Sequence, residues 1–293
     1  MRKTLIGLAI IGLVIVGGLF VTRPTTVDAS SFETLTGDPV AGELVFAATG
    51  CASCHSNAET KLGLAGGQSF QTDFGTFYAP NISQHPDEGI GSWNLTELAS
   101  AMTHGTSPSG QHYYPAFPYT SYRSMQPQDI ADLFAYLKTT DVEDTPSRGH
   151  DLSFPFNMRV TLGGWKLLYL SEGPWLEVGD DPILARGQYL VEVMGHCGEC
   201  HTPRNALGAK QASAWLAGAL NPSGSGRIPN ITSSDDGIGG WSNDELLEYF
   251  LTGFTPDFDV VGGSMASVQS NLAKLPETDL QAIVAYLKAT PPL

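Results

Sequence analysis

The feature that most constrains this chain is a short pattern that occurs twice and uses every cysteine present. Cys51-Ala-Ser-Cys54-His55 and Cys197-Gly-Glu-Cys200-His201 contain all four cysteines of the 293 residues. Each pattern sits inside a longer block that also repeats. Gly42-Glu-Leu-Val-Phe46 precedes the first pattern and Gly187-Gln-Tyr-Leu-Val191 the second. Pro80-Asn-Ile-Ser83 returns as Pro229-Asn-Ile-Thr232, and Gly89-Ile-Gly-Ser-Trp93 as Gly237-Ile-Gly-Gly-Trp241. The segment Asp129 to Lys138 returns at Asp279 to Lys288. The offsets are 146, 149, 148 and 150 residues in chain order, so the chain reads as two homologous units in tandem.

Two thiols three residues apart, followed at once by a histidine, match covalent attachment of haem c. Both thiols form thioethers to one porphyrin, and the histidine ligates its iron. Cys51, Cys54 and His55 would hold one haem, and Cys197, Cys200 and His201 the other. A structural zinc site pairs two CxxC knuckles about 15–20 residues apart, whereas 142 residues separate Cys54 from Cys197. A thioredoxin-like pair needs a βαβ setting and leaves both histidines without a role. A disulfide within CxxC would close too short a loop to staple a fold.

The sixth ligand of an electron-carrying haem is often a methionine thioether, which raises the potential. Met265 stands in a glycine-rich loop between the middle and closing helices of the second unit, where a distal ligand belongs. In the first unit the tryptophan offset places Phe117 at that position, and Phe117 cannot ligate. Met125, eight residues later, is the choice there; Met102 and His112 are the alternatives. Carbonyls at Pro80 and Pro229 are candidates to accept the Nδ1–H of the proximal histidines and so fix their tautomer.

Local patterns predict helices. Each unit opens with a helical stretch and closes with an amphipathic one, apolar at Ile130, Leu133, Phe134 and Leu137, and at Leu280, Ile283, Val284 and Leu287. Asn94-Leu-Thr-Glu97 and Ser242-Asn-Asp-Glu245 read as capping boxes of a middle helix. No sustained alternation suggests a sheet. The expected fold is therefore all-α: a first domain over 36–141, an aromatic and Gly/Pro-rich interdomain segment over 142–185 that packs across the interface, and a second domain over 186–293. Residues 1–23 carry Arg2 and Lys3, then an uncharged run from Thr4 to Thr22. They are expected to form a transmembrane helix anchoring the chain in the inner membrane, with a cleaved export signal as the alternative. Either reading puts both units in the periplasm.

Thirty acidic against fifteen basic residues give a formal charge of −15. That balance argues against nucleic acid, whose phosphates need a basic footprint, and favours a redox partner with a basic face.

Together with Tyr114-Pro-Ala-Phe-Pro-Tyr-Thr-Ser-Tyr122, these blocks make the chain resemble the bacterial dihaem class I cytochromes c. It is similar in particular to the cytochrome subunits of membrane-bound alcohol, gluconate and aldehyde dehydrogenases. Those subunits carry three haems where this chain has two motifs. In many of them a methionine stands where Phe117 does; where a phenylalanine stands there, a methionine at the position of Met125 is common. The resemblance implies two tandem class I domains and single-electron transfer between a dehydrogenase or quinol-oxidising donor and a cytochrome or terminal oxidase. The alternative is a dihaem enzyme, thiosulfate dehydrogenase-like or peroxidase-like, with one open haem.

Overall fold

The structure is a computed structural model that describes residues 2–57, 59–61, 63–170, 173–222, 224 and 226–293. Helix α1 spans Arg2–Val21. Among the described residues no helix is long and apolar enough to cross a membrane, which overturns the expected transmembrane span. The expectation rested on the uncharged run, whose apolar side chains are interrupted by Gly7, Gly12, Gly17 and Gly18. Met1 of that expected segment lies outside the described residues. Beyond α1 the chain turns back onto the first domain. The Val27 amide donates to the Ser100 hydroxyl at 3.2 Å, and His112 Nε2 donates to the Thr22 carbonyl at 2.9 Å.

The first domain is built from α2 (Pro39–Ala48), α3 (Cys51–His55), α4 (Leu95–His104), α5 (Tyr119–Tyr122) and α6 (Pro127–Leu137). Asp38 caps α2 from its side chain, with Pro39 at the first helical position. Asn94 and Glu97 form the expected capping box of α4, which ends on Gly105 in the left-handed region. Helices α2 and α6 cross at Gly42, where a Cβ would lie 2.0 Å from the Asp132 carbonyl oxygen. Only glycine permits so close a crossing.

The molecule is mainly helical but not all-α. Strands β1 (Ser69–Thr72) and β2 (Gly75–Tyr78) form a hairpin around Asp73-Phe74, and β3 (Asp151–Leu152) adds to β2 in antiparallel register. The β-branched and aromatic residues Thr72, Thr76, Phe77 and Tyr78 suit a pleated surface. Runs of four residues are too short to announce themselves by periodicity. After β3, α7 (Thr161–Tyr169) lies against the first domain through Lys166, which donates to the His104 and Gly105 carbonyls.

The second domain repeats the plan with α8 (Pro182–Gln188), a π-helical turn (Tyr189–Met194), α9 (Gly198–His201), α10 (Asn243–Thr252), α11 (Met265–Leu272) and α12 (Glu277–Ala289). A two-stranded ribbon pairs β4 (Ala219–Leu220) with β5 (Arg227–Ile228). Ser242 and Glu245 form the second capping box. Gly187 repeats the close crossing of Gly42, 2.0 Å from the Ala282 carbonyl oxygen. A single apolar core runs through both domains, with Ile130, Leu133 and Met102 from one and Leu280, Ile283 and Phe250 from the other.

Candidate haem-attachment sites

Helix α2 and the turn at Thr49-Gly50 deliver Cys51 and Cys54, and Gly50 takes the left-handed conformation that admits the reversal. None of the four cysteines is paired in a disulfide. Burial in apolar surroundings raises Cys51 to about 11, and the Thr49 hydroxyl, 3.2 Å from its Sγ, pulls the other way. Burial likewise raises Cys197 to about 12.

The histidines are held in matching fashion. His55 Nδ1 lies 2.8 Å from the Pro80 carbonyl oxygen, and His201 Nδ1 lies 2.8 Å from that of Pro229. A carbonyl oxygen only accepts, so Nδ1 carries the proton in both rings and each Nε2 keeps its lone pair. Burial lowers both imidazoles and keeps them neutral. A neutral imidazole with a bare Nε2 and an anchored Nδ1–H is the form that ligates a metal.

The loops that present these carbonyls are built by the repeated Pro-Asn-Ile-Ser/Thr blocks. The Asn81 side chain accepts from the Ser83 amide at 2.8 Å, and Asn230 from the Thr232 amide at 2.8 Å. These local Asx turns fix the backbone next to each proline. Two glycines that sequence reasoning did not single out complete the cradle. Gly66, at φ +72°, sits where a Cβ would be 2.4 Å from the Pro80 oxygen; Gly218, at φ +81°, sits where one would be 2.7 Å from the Ile228 oxygen. Their amides donate to the His55 and His201 carbonyls at 2.8 Å each. Each is one of four glycines between its CxxCH and its Pro-Asn pair, at unequal spacings, so the sequence gives no signal that singles it out.

Among the sixth-ligand candidates, Met125 is buried in the core just before α6. Met265 is the first residue of α11, half-buried against the same core. Met102 and Phe250 each take the eighth position of their helices, α4 and α10, and both are core residues. That equivalence makes Met102 packing. His112 is buried, with Nε2 committed to the Thr22 carbonyl. Trp93 and Trp241 pack partly buried against the core.

The structure brings the two motifs together. Between Cys51 and Cys54, Ser53 accepts from Asn271 of α11 at 2.9 Å. Between Cys197 and Cys200, Glu199 accepts from Thr120 and Ser121 of α5, at 2.8 and 3.0 Å. Ser53 and Glu199 hold the same position in their motifs, and α5 and α11 the same place in their domains, so the contact is reciprocal. Glu199 is only 10% exposed and pairs with Lys210, itself 5% exposed, and with Arg204. Burial pushes its carboxyl up, but the two cations and their hydrogen bonds hold it well below the usual carboxylate range. At the centre, the Tyr122 and His196 rings meet edge to face at 5.4 Å, and Tyr122 donates to the Thr49 carbonyl at 3.0 Å. The interdomain segment reaches the second domain through Trp165, which donates to the Leu207 carbonyl, and Trp175, stacked on Trp215 at 4.7 Å.

Cysteine pairs with one member packed against the core and the other open to solvent, each beside a neutral histidine with its Nε2 free, fit covalent haem. Fold and sites thus define a protein of two tandem helical units, each with one haem-attachment site. Comparison with known proteins agrees. The cytochrome c family profile matches residues 39–141. A dihaem c-type cytochrome of Cereibacter sphaeroides is 52% identical over 298 residues, 99% of each chain. The cytochrome subunit of fructose dehydrogenase from Gluconobacter japonicus is 40% identical across 85% of this chain. The cytochrome c subunit of the quinone-dependent alcohol dehydrogenase of Gluconobacter oxydans is 33% identical, again across 85%. The chain spans about half the length of those two subunits, 52% and 54%. It belongs to the cytochrome c family, carries two covalently bound haem c groups, and works in electron transfer.

Proposed function

We propose that this chain is a periplasmic electron relay that takes single electrons from a dehydrogenase or quinol-oxidising donor and passes them, through both haem domains, to a cytochrome or terminal oxidase. The observation that carries this reading is the reciprocal contact of each CxxCH motif with the other domain, Ser53 with Asn271 and Glu199 with Thr120 and Ser121. Tunnelling between centres needs them close and fixed in position, and a contact built from the attachment motifs supplies both. Names of relatives that are cytochrome subunits of sugar and alcohol dehydrogenases support a dehydrogenase as donor. Covalent haem attachment takes place outside the cytoplasm, which supports the periplasm.

When bound, each haem supplies an iron that alternates between two oxidation states. Cys51, Cys54, Cys197 and Cys200 would tether the groups, and His55 and His201 would ligate the irons through Nε2. The Pro80 and Pro229 carbonyls hold the ring orientation and raise its basicity. Met125 and Met265 would supply the second protein ligand of each iron and so keep water and substrates off. The surrounding core keeps the sites dry, which limits reorganisation when charge changes.

A relay with both distal sides closed takes up one electron per haem in a potentiometric titration and binds little carbon monoxide when reduced. Met125→Ala opens the first site, so a high-spin fraction of about half the haem and matching carbon monoxide uptake are expected. Extensive carbon monoxide binding by the parent protein would instead favour a dihaem enzyme with an open haem, and an unchanged low-spin spectrum in Met125→Ala would exclude that ligand.

A further inference from the structure

The internal duplication makes the molecule its own control, and one loop departs from its twin. After α4, residues 105–113 form a turn closed by a bridge between Thr106 and His112; after α10, residues 253–261 form the same turn, bridged from Phe254 to Val260. The backbone bonds match one for one at an offset of 148. Ser107 donates to Gln111, Gly110 to Ser107 and Tyr113 to Gly105; Thr255 donates to Asp259, Phe258 to Thr255 and Val261 to Gly253. The turn requires one left-handed residue. The first domain places Gly110 there, at φ +73°, and the second places Phe258, at φ +61°. A bulky aromatic in that region is strained, and this one is 89% exposed, so its ring gains no packing in return. Strain retained without local compensation is a mark of function.

The surroundings differ as well. In the first domain the base of the turn is covered by the chain itself. Arg159 donates to the His112 carbonyl at 2.8 Å, and Gly163 of α7 packs where a Cβ would lie 3.0 Å from His112 Nε2. The tip, Ser109-Gly110-Gln111, is polar. In the second domain Leu251, Phe254 and Val260 are exposed around Phe258, and nothing among the described residues covers them. Asp257 and Asp259 flank the ring in sequence.

We infer that the turn at 253–261, with Phe258 as an aromatic peg between two aspartates, is the docking surface of the second domain for a redox partner. That partner presents an apolar recess ringed by lysine or arginine. The first domain shows the mode of cover, an apolar helix bringing an arginine to the turn. Net charge of −15 adds long-range attraction for such a face. The inference rests on the electron-relay reading and adds that electrons pass to or from that partner at the second haem, whose candidate distal ligand Met265 continues from this turn.

The test uses the haem-loaded full chain and a cationic monohaem cytochrome c as probe, with electron exchange followed by stopped flow. Phe258→Gly gives the turn the residue its backbone prefers. We expect its melting temperature to equal or exceed that of the parent while the second-order rate falls at least about fivefold. Asp257→Asn with Asp259→Asn should flatten the salt dependence of that rate, and Leu220→Ser, an exposed leucine on the β4–β5 ribbon, should leave the rate unchanged. A rate change under about twofold in Phe258→Gly, or a melting temperature several degrees lower, overturns the docking assignment. Failure of the parent protein to exchange electrons even with ferricyanide would instead overturn the relay reading itself.

Discussion

Lys166 shows how one side chain can report on the interdomain segment. Its ammonium donates to the carbonyls of His104 and Gly105 at 2.6 and 2.9 Å and lies 4.7 Å over the Tyr119 ring. Burial, with the Arg123 charge adding to it, lowers its pKa from 10.5 to about 8. The folded state therefore releases this proton at lower pH than the unfolded state does. Between about pH 8 and 10.5 the unfolded chain binds more protons, so this group's contribution makes stability rise with pH. Lys166→Met should remove that rise, seen as a smaller gain in melting temperature from pH 7.5 to 9.5 relative to the parent; an identical gain in both would refute it. Other residues of the site were legible in varying degree. The two CxxCH motifs and the carbonyls at Pro80 and Pro229 could be read because they repeat. Asn81 matches a glycosylation pattern, yet it is buried and donates to the Glu143 and Thr145 carbonyls. His112 stood as a possible ligand because a sequence does not show which nitrogen is already engaged.

Helix pairs carry the next level of stability. The opening and closing helices of each domain cross on a glycine, Gly42 against Asp132 and Gly187 against Ala282. Gly187→Ala places a methyl group against backbone, where no rotamer change can make room. Overpacking of this kind costs about 1–3 kcal/mol. In urea the variant should lose that much from the second domain, while the mirror change Gly42→Ala loses it from the first; equal stability to the parent in both would refute the crossing as the limiting contact. Capping boxes at Asn94 and Ser242 were visible in sequence because their chemistry is local. The β1–β2 hairpin was not, since four residues per strand give too little alternation and its third strand comes from beyond residue 150.

For the whole molecule, duplication in the sequence predicted two domains but not how they face each other. That arrangement depends on single residues, Ser53 and Glu199, whose partners in the other domain lie 218 and 79 residues away along the chain. Glu199 is the clearest case. Glu199→Gln leaves Lys210 buried without its counter-charge, a change that costs about 3–5 kcal/mol when a buried pair is broken. Glu199→Gln with Lys210→Met should recover part of that loss. Denaturant melts of the two variants test the coupling, and additive losses would show that the pair does not act as a unit.

The closing helices also set an order of events during synthesis. In the first domain the Asp38 amide is held by the Asp132 carboxylate, 94 residues on. In the second, Arg186 is held by Asp279, 93 residues on. Each domain is thus sealed by the last helix it makes. The first can close before the second is complete. The second cannot close until α12 has been made, so a nascent chain stalled before that helix would present one finished domain and one with its apolar face open.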